Sequence, residues 1–301
     1  MDLPRWPRLG LGCARIGSFG NPASAAQSLA LLRGAFDLGL RLFDTADIYG
    51  QGDSERLVGK ALAGRRDGGV IVTKGGRLFS AKMRLLRPLK PLLRPFLALG
   101  GLSGAVTAQR AGEERMNWTP AHLVAALERS LRRLRTDRVD AFLLHSPPAE
   151  VLRQPETADV LARMVASGKA LRAGAACDDL EQLEAALAMP YLDVLELPWS
   201  VLCAIAGTPQ AAALDKRGIT VIAREVIVQQ PDVPAGVAVA KAMALPFVTT
   251  TLVGSGRIDR LRAIADQVGA GTRGGAGQER HRPGPGIPPV DRSARAGARH
   301  E

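Results

Sequence analysis

Short apolar runs alternate along the chain with longer stretches in which leucines recur every three or four residues. The alternation starts almost at once: residues 9–13 (LGLGC) read as a strand and residues 23–38 as an amphipathic helix. Further strand-like runs lie at 41–43, 70–73, 139–144, 171–175, 193–197, 219–223 and 248–253, each followed by a helix-like stretch. Local signals agree with these starts. Thr119-Pro120 is an N-cap followed by proline at the first helical position, Asp178 and Asp179 open the stretch to Leu187, and Thr208-Pro209 opens 210–217, which Gly218 closes. Eight strand–helix units need parallel strands joined by right-handed crossovers. The count predicts a single α/β domain, a (β/α)8 TIM barrel over residues 1–270, rather than an open doubly wound sheet.

Two segments break the repeat. Residues 77–117 follow the third strand and are far longer than the few residues usual for such a connection. Their centre, 83–99 (MRLLRPLKPLLRPFLAL), mixes leucine with arginine and lysine and is broken by Pro88, Pro91 and Pro95. It reads as a crossover packed on the barrel rim, as a flap over a substrate, or as a membrane-surface element, the last weakened by the prolines. Residues 271–301 hold seven Gly, four Pro and six Arg with almost no large apolar side chain, the composition of a disordered tail. A shifted reading frame at the end of the gene would produce the same contrast with the body.

Charge and cysteine usage narrow the function classes. The chain has 301 residues and a formal charge of +11, of which +6 falls in 77–117 and +3 in 271–301. A near-neutral body argues against a surface shaped to grip nucleic acid. The basic tail lacks aromatic residues to stack on bases. Three widely spaced cysteines, Cys13, Cys177 and Cys203, give neither a disulfide framework nor a zinc pattern, so a reducing, cytoplasmic setting and no metal are expected. The start MDLPRWPRLGLG has no apolar signal region and no apolar run is long enough to span a bilayer, which predicts a soluble protein.

In a barrel of this kind the chemistry sits at the C-terminal ends of the strands. Four polar residues fall there: Asp44 and Tyr49 after the second strand, Lys74 after Val70-Ile-Val-Thr73, and His145 after Ala141-Phe-Leu-Leu144. Singly, each has a structural alternative: Asp44 a turn cap, Tyr49 packing, Lys74 a solvated amine, His145 a satisfied core histidine. Together they combine. A lysine ending an apolar strand needs a counter-ion, which Asp44 on the neighbouring strand can supply. A cation beside a phenol favours phenolate, so the Tyr49 pKa is expected to fall from about 10 towards working pH, making Tyr49 a usable general acid.

These residues, with Asp44-Thr-Ala-Asp-Ile-Tyr49-Gly50, Gly52-Asp-Ser54-Glu55, Gly59-Lys-Ala-Leu62 and Leu143-Leu-His145 in order, resemble the aldo-keto reductases over roughly residues 9–268. The resemblance implies a (β/α)8 barrel that moves a hydride between NADPH and the carbonyl of an aldehyde, ketone or sugar-like substrate. Tyr49 would then be the proton donor, Lys74 and Asp44 its tuning groups, and His145 the group that orients the carbonyl.

Cofactor residues carry over in part. Leu252-Val-Gly-Ser-Gly-Arg-Ile-Asp-Arg260 resembles the family segment that holds the adenosine 2′-phosphate, with Ser255 and Arg260 on its positions and Arg257 adding charge. Gly254 stands where the family has a lysine and Ile264 where it often has asparagine, which narrows the margin of NADPH over NADH. At the nicotinamide end the family's Ser-Asn and Gln are replaced by Ala176, Cys177 and Glu196. Glu196 can still accept from the carboxamide, Asp178 can do so if the register slips, and Trp199 takes the place of the stacking aromatic. The insertion, with Trp118 and Trp199, leans towards an apolar substrate. The rival class is a non-catalytic nucleotide sensor or partner-binding barrel, favoured by the altered carboxamide contacts and opposed by the complete catalytic set.

Overall fold

The structure, a computed structural model, describes residues 6–18, 21–78 and 115–269. Eight parallel strands close into a barrel in the order β1 (Leu9–Gly12), β10 (Thr250–Val253), β9 (Thr220–Arg224), β8 (Val194–Pro198), β7 (Ala173–Ala176), β6 (Ala141–His145), β3 (Val70–Gly75) and β2 (Leu42–Asp44). Helices α1 (Ala25–Asp37), α2 (Asp53–Ala61), α3 (Pro120–Leu134), α4 (Ala149–Leu152), α5 (Pro155–Ala166), α6 (Leu180–Leu187), α7 (Trp199–Ile205), α8 (Pro209–Lys216), α9 (Ala235–Ala244) and α10 (Ile258–Gln267) occupy the connections. The TIM barrel expected from the alternation is the architecture observed.

Two apolar layers hold it. A small inner cluster of Leu42, Val70, Val72, Ala141, Leu143, Val194, Ile222 and Leu252, with Trp6 packed on it, separates from the much larger cluster that carries the helices. Alternation along each strand produces this division, because successive side chains point to opposite faces: Phe142 and Leu144 join the larger cluster while Ala141 and Leu143 join the smaller. Local caps match the sequence signals. Ser24 forms a capping box with Gln27, Thr119 accepts from the His122 N–H before Pro120, and Asp179 accepts from Gln182. Thr208 stands at the N-cap of α8 before Pro209 as expected, but its hydroxyl donates to the Ile205 carbonyl at 2.7 Å and makes no cap bond to the helix.

The observed strands overlap the expected ones but several end one or two residues later. Asp44, Lys74, His145 and Arg224 fall inside β2, β3, β6 and β9 rather than just after them. Hydrophobic periodicity stops at the first polar residue, whereas the hydrogen-bond ladder runs on through the barrel mouth. The insertion leaves and returns through a short antiparallel ribbon, β4 (Arg77–Leu78) and β5 (Arg115–Met116), which pairs Arg77 with Met116 and Leu78 with Arg115. The readings offered for 83–99 and for 271–301 lie outside the described residues.

Candidate active site

Tyr49 opens a 3-10 turn, Tyr49–Gly52, that follows β2. Gly50 and Gly52 have φ of 58° and 84°, and a Cβ on Gly50 would lie 2.7 Å from the Gly17 carbonyl oxygen, so the turn both needs glycine torsions and passes close to the β1 loop. The residues that follow tie it down. The Thr45 hydroxyl donates to Ser54 Oγ at 2.8 Å, and Ser54 donates to the Cys13 carbonyl at 3.1 Å. Glu55, fully buried, accepts from Thr73 Oγ1 at 2.7 Å and from Arg133 of α3. At Gly59 a Cβ would meet the Leu134 carbonyl oxygen at 2.2 Å, so α2 seats directly on the end of α3. The motif after Tyr49 is thus the clamp that fixes the tyrosine's loop.

The four candidate residues converge. The Lys74 ammonium lies 5.4 Å from the centre of the Tyr49 ring, and the His145 ring meets that ring edge-on, 87° between planes and 5.6 Å between centres. Lys74 is fully buried and donates to Asp44, with the Thr45 carbonyl oxygen at 3.4 Å. Its second carboxylate is Glu196, whose Oε2 is 3.0 Å away.

Electrostatics follow from this burial. Desolvation and the neighbouring Glu196 charge push the Asp44 carboxyl up to about 8. Burial alone would lower Lys74, but Asp44 and Glu196 outweigh it and hold the ammonium above its ordinary value. Burial, reinforced by Lys74, Arg77 and Arg224, holds His145 well below the usual histidine range, so the imidazole is neutral. For Tyr49 the expected lowering is corrected: burial is the largest influence, outweighs Lys74, and raises the phenol above its ordinary value.

Above these groups opens a cleft of about 440 Å³ lined by Tyr49, His145 and Glu196 and, on its far wall, by Asp178, Arg224 and Glu225. Arg224 is its pivot. It donates to Asp178, to Glu225 and, at 3.2 Å, to the Cys177 carbonyl, while its Nε lies 3.6 Å from Glu196 Oε1. Asp178 also accepts from Ser146 Oγ at 3.0 Å. The described lining is polar, and the insertion behind the lean towards an apolar substrate lies outside the described residues. Arg224 went unread in the sequence, although it ends its strand just as Asp44 and His145 end theirs. The same census of strand ends, extended to the seventh barrel strand, finds it.

A family model described as the aldo/keto reductase family matches residues 8–231. The chain belongs to this family. Among curated relatives, D-threo-aldose 1-dehydrogenase of Pseudomonas sp is 36% identical over 144 residues, 47% of this chain and 40% of that protein. The aldo-keto reductase YhdN of Bacillus subtilis is 30% identical over 197 residues, 64% of this chain and 50% of that protein. The chain thus spans about half the length of the curated relatives it matches. Among solved structures, an aldo-keto reductase from Bacillus halodurans in its holo form matches with a TM-score of 0.66 at 19% identity, covering 89% of this chain and 91% of that one. One from Klebsiella pneumoniae in complex with NADPH matches with a TM-score of 0.62 at 23% identity, covering 89% and 88%. These two likenesses show the fold.

The remaining expected residues of this family member are placed as follows. Gly254, Ser255, Arg257 and Arg260 lie at the surface where β10 runs into α10. Ser255 Oγ accepts from the Arg257 N–H at 3.1 Å, and the Arg257 guanidinium pairs with Asp259 through Nε at 3.1 Å and through Nη2. Ile264 is buried in the core. Trp199 is the first residue of α7 and packs, half-buried, on the larger apolar cluster, while its neighbours Pro198 and Ser200 line the cleft. Glu196 lines the cleft and also pairs inward with Lys74.

Proposed function

We propose that this protein is an NADPH-dependent reductase acting on the carbonyl of an aldehyde, ketone or sugar-like substrate, with Tyr49 as proton donor. The observation that carries the reading is the convergence of Tyr49, Lys74, Asp44 and His145 from three neighbouring strands on one cleft, Tyr49 and His145 edge to face and Lys74 behind the phenol. Binding alone does not require a buried lysine behind a tyrosine.

The residues fit the cofactor. Cleft-lining Asp178 and Glu196 offer acceptors suited to a carboxamide, and Ser255, Arg257 and Arg260 at the start of a ten-residue helix suit a phosphate dianion. When bound, the nicotinamide supplies the hydride. The chain supplies position and the proton. Tyr49 stays protonated in its buried setting and gives its proton to the carbonyl oxygen as charge develops there. The neutral His145 imidazole orients that oxygen, and Asp44 and Glu196 fix the ammonium behind the phenol.

The test is fluorescence titration with NADPH and NADH, followed by a panel of carbonyls monitored at the nicotinamide absorbance. Tight NADPH binding with carbonyl-dependent oxidation is expected. In Tyr49→Phe, binding should persist while turnover falls by roughly 10²–10⁴-fold. Tight binding without turnover on any carbonyl would transfer the reading to a nucleotide sensor, and undiminished turnover in Tyr49→Phe would refute the proton donor.

A further inference from the structure

Lys74 has two carboxylate partners, and they come from different sides of the barrel. Asp44 stands on β2, beside β3. Glu196 stands on β8, which β6 and β7 separate from β3, so Lys74 reaches across the lumen to meet it at 3.0 Å. On its other side the Glu196 carboxylate lies 3.6 Å from the Arg224 guanidinium, and its side chain is only 3% exposed. Held between two cations from β3 and β9, Glu196 is built into the charge network behind the proton donor.

That second carboxylate changes what Tyr49 senses. A single buried ion pair behind a phenol leaves the nearer cation dominant and favours phenolate. Here the groups acting on the phenol are Lys74 and Arg224 against Asp44 and Glu196, with His145 neutral. Arg224 is itself shared with Asp178 and Glu225. Above about pH 8, where Asp44 is ionised, the Lys74 ammonium faces two full negative charges at contact distance. Both carboxylates oppose the pull of the ammonium on the phenol.

We propose that Glu196 is a positioning residue that keeps Tyr49 protonated: as the second counter-ion of Lys74 it extends proton donation to a carbonyl towards higher pH. The proposal rests on the reductase reading of the same site. It assigns Glu196 a part in the pH range of the reaction, beyond any contact with a carboxamide. The phenol's elevated affinity for its proton, set first by burial, agrees with it.

The experiment reads the phenol directly and needs no turnover. The chain contains two tyrosines, so in a Tyr191→Phe background Tyr49 is the remaining one. Biosynthetic replacement of tyrosine by trifluorotyrosine, a far more acidic phenol, brings ionisation into a range that the folded protein tolerates. Absorbance titration is then compared with and without Glu196→Gln, circular dichroism reporting the folded state. Glu196→Gln should lower the ionisation midpoint by about one pH unit, tenfold in proton affinity. Should Glu196→Gln not fold, Glu196→Met removes the same charge without a buried amide. With NADPH and a carbonyl substrate, the pH above which reduction falls should move down by about the same one unit. Coincident titration curves, or a shift upward, would overturn the proposal. If no carbonyl is turned over at all, the reductase reading fails, and the titration still decides for or against Glu196.

Discussion

Lys74→Met tests whether the buried ammonium is the keystone of the site. The substitution keeps an unbranched side chain of similar length but leaves Asp44 and Glu196 facing each other without a shared cation. At 3.0 Å and an effective dielectric constant of about 20, the Lys74–Glu196 attraction alone is about 5.5 kcal/mol before desolvation is subtracted. Removing one partner of a buried pair typically costs about 3–5 kcal/mol, because the remaining charge is uncompensated. A loss of that size is expected at pH 8, a large part of the roughly 5–15 kcal/mol that stabilises a domain.

The loss must depend on pH with a definite sign. In the parent protein Lys74 opposes burial and Glu196 in setting the Asp44 carboxyl at about 8. In the variant that opposition is gone and Asp44 keeps its proton to higher pH in the folded state, whereas an unfolded aspartate ionises near 3.9. Above pH 8 the folded variant therefore binds more protons than the unfolded chain, so its stability goes on falling as pH rises, by up to about 1.4 kcal/mol per unit for this one proton, while the parent's contribution from Asp44 levels off. Urea denaturation of parent and variant at pH 6.5, 8 and 9.5 measures the difference. A destabilisation below about 1 kcal/mol at pH 8, or one of equal size at pH 6.5 and pH 9.5, would refute the assignment of Lys74 as the shared counter-ion.

Three further outcomes are expected. Gly174→Ala places a Cβ 1.8 Å from the Val194 carbonyl oxygen between adjacent barrel strands, so it should destabilise by more than about 3 kcal/mol or abolish soluble expression, read by thermal unfolding. Asp47 is pushed up to about 7 by burial and Glu55, against Arg133 and Arg129. The folded protein keeps that proton from pH 4 to pH 7 while the unfolded chain releases it, so Asp47 costs stability progressively over that window and fully above it. Asp47→Asn should therefore leave stability unchanged at pH 4 and raise it by about 1 kcal/mol or more at pH 8 in the same urea assay. Asp259→Asn releases the Arg257 guanidinium from its pairing and should tighten NADPH binding a few-fold in fluorescence titration with little effect on NADH.

The barrel and the position of its chemistry were legible because both are written in local pattern: apolar runs of strand length, and a polar residue where each run stops. Asp44, Lys74 and His145 were readable on that ground, and Tyr49 through the turn that follows Asp44. What local pattern does not carry is which groups meet across the lumen. Glu196 on β8 and Lys74 on β3 lie 122 positions apart in the chain, and only closure of the barrel brings them into contact. The direction of the Tyr49 shift was misread for a related reason, since burial depends on how much of the structure closes over a group, and a neighbouring cation can be read from sequence while that closure cannot.

The ribbon of Arg77–Leu78 with Arg115–Met116 makes the barrel mouth a socket. Both ends of the inserted segment are anchored side by side by one pair of short strands, so the eight-strand wall is closed without it. Loop-closure entropy grows only with the logarithm of length, so exchanging the 36 residues between the two strands for a turn of four alters that term by about 2 kcal/mol. Evolution, or an engineer, can therefore exchange the inserted segment wholesale. Asp44, Tyr49, Lys74 and His145 would keep their geometry, because the strands and turn that carry them lie outside it.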